Sequence, residues 1–374
     1  MVAVGPGPTN DTMNLDIRCA SAGGMLVLSA FRGVGSHIVN RLANEFGTLQ
    51  EVRNASPARI RSICSRSVSV DLTDTAAWQR ALANSQAILE AAQQHSVRVL
   101  APTDADYPEW LREIPAPPVI HVKGELRPDR RQVACVGTRD PSPFGEIAAR
   151  RITRRLVESD WSIVSGLARG VDTLAHRAAL EAGGHTVAVL ATGLDSVYPL
   201  GNTELARDIL ERGGALLSEH PVGTPLIPHN LIQRDRLQSG MAAGTVVMQT
   251  DVTGGSMHTV RFTLEQGRLL FAPIPAGRHA LAPKSRGILA LARTTGRELA
   301  DTLNADEIYR KLLTTKFGNC PPAIPIRDRR EYVVLLDRLQ VAVKDCSGME
   351  SARMKMASQD GYARGGLPLG QPSV

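Results

Sequence analysis

The chain has 374 residues, of which 43% are hydrophobic and 21% charged, and a net charge of +6. That length suits two or three domains of ordinary globular composition, and the mild basic excess is compatible with a nucleic-acid partner without requiring one. No apolar run approaches the roughly 18–20 residues of a membrane span, the five scattered cysteines contain no C-x-x-C pair, and no charged start precedes an apolar core. Membrane-span, zinc-site, disulfide-framework and signal-peptide readings are therefore set aside, and a cytoplasmic, reducing compartment is expected.

Residues 1–24, rich in Gly, Pro, Thr and Asn, read as a disordered leader. Residues 25–96 read as a small helical domain. There the run Arg32-Gly33-Val34-Gly35-Ser36 precedes a helix with Ile38, Leu42 and Phe46 on one face. An apolar residue, a glycine turn and a helix form the pattern of a helix-hairpin-helix. Its turn either offers amides to a nucleic-acid phosphate or serves packing alone.

Residues 97–302 alternate strand and helix. The apolar runs at 132–136, 161–164, 186–190, 215–218, 245–248 and 269–272 read as strands. Helices are expected at 144–159, 172–182, 202–212, 230–241 and 254–266. This spacing predicts an α/β fold with a doubly wound, mostly parallel sheet, and residues 97–100 could add an edge strand. After Thr302 the pattern weakens. Residues 303–374 read as short helices, near 306–313 and 330–343, followed by a disordered tail.

Loops that follow strands in such a sheet gather on one edge. Four of them carry phosphate-friendly groups: Gly137-Thr138-Arg139, Ser165-Gly166 with Arg169-Gly170, the stretch from Gly193 to Asn202, and Gly254-Gly255-Ser256. Arg234 and Arg236 lie on a nearby helix. Glycines allow close backbone approach, helix starts attract anions, and guanidinium forks suit phosphate. These groups are expected to converge on one phosphate-binding pocket. Asp172 reads as the N-cap of the helix after Gly170, His176 as a packing histidine, and Asp195 as a loop-ordering residue. The chain contains no G-x-G-x-x-G after the first strand, no Walker loop, no H-E-x-x-H and no G-x-S-x-G. No cofactor, metal ligand or catalytic residue is therefore assigned.

Taken together, five motifs in fixed order resemble the DNA-processing protein A family (DprA, also called Smf). They are G-T-R at 137–139, S-G-L-A-R-G-V-D-T-L-A-H at 165–176, the run from Gly183 to Pro199, R-D-R at 234–236, and T-G-G-S-M-H-T at 253–259 with E-Q-G-R at 265–268. The resemblance covers residues 115–300. It implies an extended Rossmann-like fold behind a helical domain of helix-hairpin-helix or SAM-like type. It also implies a non-enzymatic homodimer that binds single-stranded DNA and loads the recombinase RecA onto it during natural transformation. On the matched positions the DNA-contacting set is Gly137, Thr138, Arg139, Ser165, Gly166, Arg169, Gly170, Asn202, Arg234, Arg236, Gly254, Gly255 and Ser256. The chain departs from the family pattern at several positions. Thr138 stands for a serine, Asp235 for an asparagine, Leu200-Gly201 removes a lysine, and Pro273-Ile274-Pro275 stands for V-P-G. The alternative reading is a nucleotide-binding sensor or nucleotide-processing enzyme on a related fold. The P-G-G-x-G-T-x-x-E loop of such enzymes is absent from the sequence.

Overall fold

The structure is a computed structural model, and it describes residues 14–64, 72, 74–115, 117–127 and 129–345. Five helices come first: α1 (Ala22–Ser29), α2 (Ser36–Glu45), α3 (Leu49–Asn54), α4 (Pro57–Cys64) and α5 (Thr75–Gln94). Their apolar faces close over Trp78, which is fully buried and packs edge-on to Phe31 with ring centroids 4.8 Å apart. Part of the expected leader belongs to this core. Leu15 and Cys19 are buried against it, and Arg18 forms a β-bridge with Thr48. Composition had suggested disorder for 14–24, but these apolar side chains fill the end of the bundle. Residues 1–13 and the tail beyond 345 lie outside the described residues.

The remaining elements build one nine-stranded sheet. In chain order they are β1 (Arg98–Leu100), α6 (Glu109–Arg112), β2 (Ile120–Gly124), β3 (Gln132–Val136), α7 (Pro143–Glu158), β4 (Ser162–Ser165), α8 (Val171–Glu181) and β5 (Thr186–Leu190). They continue with α9 (Thr203–Glu211), β6 (Ala215–Ser218), α10 (Pro228–Gly240), β7 (Gly244–Val247), α11 (Ser256–Glu265), β8 (Leu269–Pro273), α12 (Arg286–Arg293), α13 (Gly296–Thr302), α14 (Glu307–Phe317) and β9 (Ile324–Ile326). A last helix, α15, covers 332–345. The strand order is β1-β2-β6-β5-β4-β3-β7-β8-β9. All neighbours from β6 to β9 are parallel, while β1–β2 and β2–β6 are antiparallel.

The parallel strands are continuous apolar runs because both faces are covered. Val133 and Cys135 of β3 pack with α7 and α15, whereas Val136 packs with α11, α12 and α13. β1 does add to the sheet, as expected. β9 was not expected: its three residues Ile324-Pro325-Ile326 pair with Phe271, Ala272 and Pro273 of β8. The core therefore runs well past residue 302.

The segment between β1 and β2 is stapled by charge to the strands of the sheet. Arg130, 8% exposed, pairs with Glu109 and Glu113. Arg268 pairs with Glu113 at 2.8 Å. The two guanidinium groups lie over the Trp110 ring at 5.0 and 4.3 Å from its centroid, and Trp110 Nε1 donates to Arg130 O at 2.8 Å. Trp110→Ala removes the ring that both cations cover. It is expected to lower stability by about 3–5 kcal/mol, as large-to-small core changes do, measured by urea unfolding.

Candidate nucleic-acid interface

After β3 the chain moves one way through β4, β5 and β6, then returns to start β7 on the other side of β3. The loops after β3 and β7 thus part at the switch point of the sheet, where open α/β sheets bind ligands. A cavity of about 450 Å³ opens there. Its walls come from residues 136–139 after β3, residues 250–259 after β7, Asp172 of α8, the face of α10 carrying Leu231, Arg234, Asp235 and Gln238, and Lys284. Gln249 sews the two loops together. Its Nε2 donates to Ser142 Oγ at 2.8 Å and Ser285 Oγ at 3.1 Å, and its carbonyl accepts Thr138 N–H at 2.8 Å.

The turn after β4 is held in an unusual backbone. Leu167 and Gly170 have positive φ, at 58° and 79°. Gly170 has a steric reason to be glycine: a Cβ there would lie 2.5 Å from the backbone of Thr138 and Arg139. The N-cap of α8 is Gly170, not Asp172 as expected. Asp172 lies one residue inside the helix and reaches back, so that its Oδ2 accepts the amides of Gly166 at 3.2 Å and Ala168 at 3.3 Å. Burial pushes its carboxyl upward, against the pull of Arg234 and those amides. Asn202 Nδ2 donates to Leu167 O at 2.7 Å and to Thr173 Oγ1 at 2.9 Å. Ser165 Oγ donates to Cys135 O at 2.7 Å. His176 is fully buried against Thr186 Oγ1, and burial holds it neutral by lowering its pKa to about 3. Among these groups the packing reading of His176 agrees with the geometry, whereas Ser165 and Asn202 shape the turn from within.

The four expected arginines separate into three kinds. Arg139 and Arg169 are exposed, and neither forms an ion pair among the described residues. Together with Gly166 and Arg234 they line a small hollow beside the main cavity. Arg234 is 7% exposed; its Nη1 donates to Gly166 O at 2.5 Å and Val189 O at 2.7 Å. It lines both hollows but works as a brace. Arg236 does not join them. It pairs with Glu219 and is not among the residues lining the cavity. Two positions apart on α10, the two side chains leave the helix on different faces. Gly254, Gly255 and Ser256 do line the cavity and start α11, with Ser256 Oγ donating to Thr250 Oγ1 at 2.8 Å. Gly137 and Thr138 line it from the β3 side.

Sequence reasoning missed Lys284, which lines the cavity while paired to Asp140. It arrives from 3-10 turns far along the chain, and no local pattern marked it. Asp235 was noted only as a departure, yet its carboxyl is strongly perturbed. Burial pushes its carboxyl up to about 7, with Asp172 adding to the rise and Arg234 and Arg139 opposing it. Its Oδ1 lies 3.2 Å from Arg234 Nε, although Nε lacks hydrogen-bond geometry.

The fold and cavity define a doubly wound α/β protein with a cationic rim at its switch point. A family model described as DNA recombination-mediator protein A matches residues 98–312. The chain belongs to the DNA recombination-mediator protein A family. It is similar to the Smf protein of Synechocystis sp., 36% identical over 255 residues that cover 66% of this chain and 63% of that protein. It is also similar to the Smf protein of Escherichia coli, 38% identical over 203 residues covering 53% of each. The matched part thus spans less than two thirds of these relatives. The solved structure of DNA processing protein A from Streptococcus pneumoniae superposes with a TM-score of 0.58 at 25% identity, covering 79% of this chain and 98% of that one. The mostly parallel α/β fold expected from the alternation is the one found. Among the described residues no helix is long and apolar enough to cross a membrane.

Two changes probe this geometry. A Cβ on Gly166 would lie 1.9 Å from Arg234 Nη1, so Gly166→Ala displaces the brace; a loss of about 1–3 kcal/mol is expected, measured by urea unfolding. Asp235 has a folded pKa above its unfolded value, so the native state binds the extra proton between about pH 4 and pH 7 and the ionised form is disfavoured above that window. Asp235→Asn is therefore expected to raise Tm at about pH 8 and to raise it less at about pH 5, measured by calorimetry.

Proposed function

We propose that this protein binds single-stranded DNA along the rim of the switch-point cavity and passes it to a RecA-type recombinase. The observation that carries this reading is the pair Arg139 and Arg169. Both are exposed and neither forms an ion pair among the described residues; Arg169 precedes the first turn of α8, and Arg139 lines the cavity together with the start of α11. Free cations beside helix starts neutralise phosphates without reading sequence. A groove of this kind tracks a single-strand backbone and loses affinity steeply with salt. Membership of a family named for mediating DNA recombination supports the same reading. We propose further that the protein is not an enzyme, works in the cytoplasm as a homodimer, and protects incoming strands during natural transformation.

The cavity also supports a second reading. At about 450 Å³ it falls within the range of small-molecule sites, which suits a mononucleotide sensor. Nucleoside monophosphates raising Tm, together with no binding of strands at low salt, would decide for that reading.

The test is a titration of labelled oligo-dT across salt concentrations. Arg139→Ala and Arg169→Ala are each expected to weaken binding several-fold. Each is also expected to flatten the slope of log K against log salt by about 0.7 for every phosphate that is no longer neutralised. Arg236→Ala, whose cation is held by Glu219, is expected to leave that slope unchanged. Unchanged slopes for Arg139→Ala and Arg169→Ala would overturn the rim assignment.

A further inference from the structure

Helix α15 covers the sheet with one face and leaves the other bare. Leu335 and Leu339 are buried, and Tyr332, Leu336, Ala342 and Val343 pack against the same core. The opposite face carries Val333, Val334 and Val341, which are 57%, 46% and 53% exposed. Val334 and Val341 lie two turns apart, about 10 Å, on one line along the helix. Valine is a weaker helix former than Ala, Leu or Lys, so an exposed helical position gains nothing from it locally. Between the two stand Asp337 and Arg338, both exposed, and neither forms an ion pair among the described residues. On other exposed helices arginines pair one turn along with glutamate, as Arg154–Glu158 and Arg207–Glu211 do. Here the positions three and four residues from Asp337 and Arg338 hold only Val, Leu, Gln and Ala. The bare face is therefore an apolar stripe flanked by two opposite charges that nothing on the same helix answers.

We propose that this face pairs with the same face of a second copy of the chain, α15 against α15, antiparallel across a twofold axis. One register satisfies every group at once. Setting Val334 opposite the partner's Val341 also sets Asp337 opposite the partner's Arg338, and the twofold repeats both contacts in the other direction. The same register brings Lys344, exposed and without an ion pair among the described residues, opposite the partner's Glu331 at the start of the helix. A parallel pairing would instead set Asp337 against aspartate and Arg338 against arginine. The charge pattern is thus complementary to itself only in the antiparallel sense, which is what an interface between identical chains requires. The valines supply the dry centre and the charges fix the register. Helix α15 lies beyond residues 98–312, the part that matches the family model, so the contact belongs to this chain's own last described helix. None of the residues lining the switch-point cavity lies on it, and pairing uses none of them.

The inference rests on the homodimer reading above and names its surface, and sedimentation equilibrium of the full chain separates the two. Asp337→Arg and Arg338→Asp each set like charges opposite one another twice across the axis. Each is expected to weaken self-association by about tenfold or more. Mixing the two variants gives one copy a pair of cations and the other a pair of carboxylates. The mixture is expected to associate within about threefold of the wild-type strength, and so is the double variant that exchanges the two charges. This recovery also shows that neither single variant has lost its fold. Single variants that associate as strongly as wild type, or a mixture that recovers nothing, would overturn the α15 pairing; a dimer persisting in both variants would leave the homodimer reading standing on another surface. A wild-type chain that stays monomeric at every concentration would overturn both.

Discussion

The guanidinium of Arg234 sits where three elements meet. It rises from α10, caps the carbonyl of Gly166 at the end of β4, and caps that of Val189 near the end of β5. Two carbonyls that would otherwise be buried without partners are satisfied by one cation. The geometry leaves no room for a side chain at 166, so the glycine and the arginine are one device. The turn after β4 depends on it, because Asp172 and Asn202 tie down the rest of that turn only where Gly166 already lies. The rim arginines inherit their positions from this scaffold without contributing to it.

The strands were legible because burial on both faces writes itself as unbroken apolar runs; the runs at 132–136, 186–190 and 215–218 coincide with β3, β5 and β6. β9 escaped because three residues with a central proline carry neither length nor alternation. At the site, the loops were legible and the side-chain directions were not. Arg234 and Arg236 look equivalent as R-D-R, yet helical geometry turns one inward and gives the other to Glu219. Asp172 looks like a cap, and only the left-handed turn before it explains why it binds amides outside its own helix. Lys284 had no local signal at all, since its place is set by contacts across the sheet.

The electrostatics of the cavity run against its overall sign. The chain is basic, and the rim is cationic, but the floor is lined by carboxylates whose charge burial disfavours. Such a floor is a cost to folding, and buried ionisable groups of this kind gather where chemistry or recognition needs them. The cost is softened by Arg234, which serves as their common counter-charge. A single residue thus sets the backbone of the turn and the polarity of the cavity.

The last strand closes one margin of the sheet to further pairing. Ile326 turns its carbonyl toward β8, where it accepts the amide of Ile274 at 2.9 Å. Alternation along the strand then directs the backbone groups of residue 325 outward. That residue is proline, with no N–H to offer, so the outer margin of the sheet presents a carbonyl and no central donor. A neighbouring chain finds no ladder to extend on this side. Growth of the sheet by addition of a further strand is thereby disfavoured at the β9 margin.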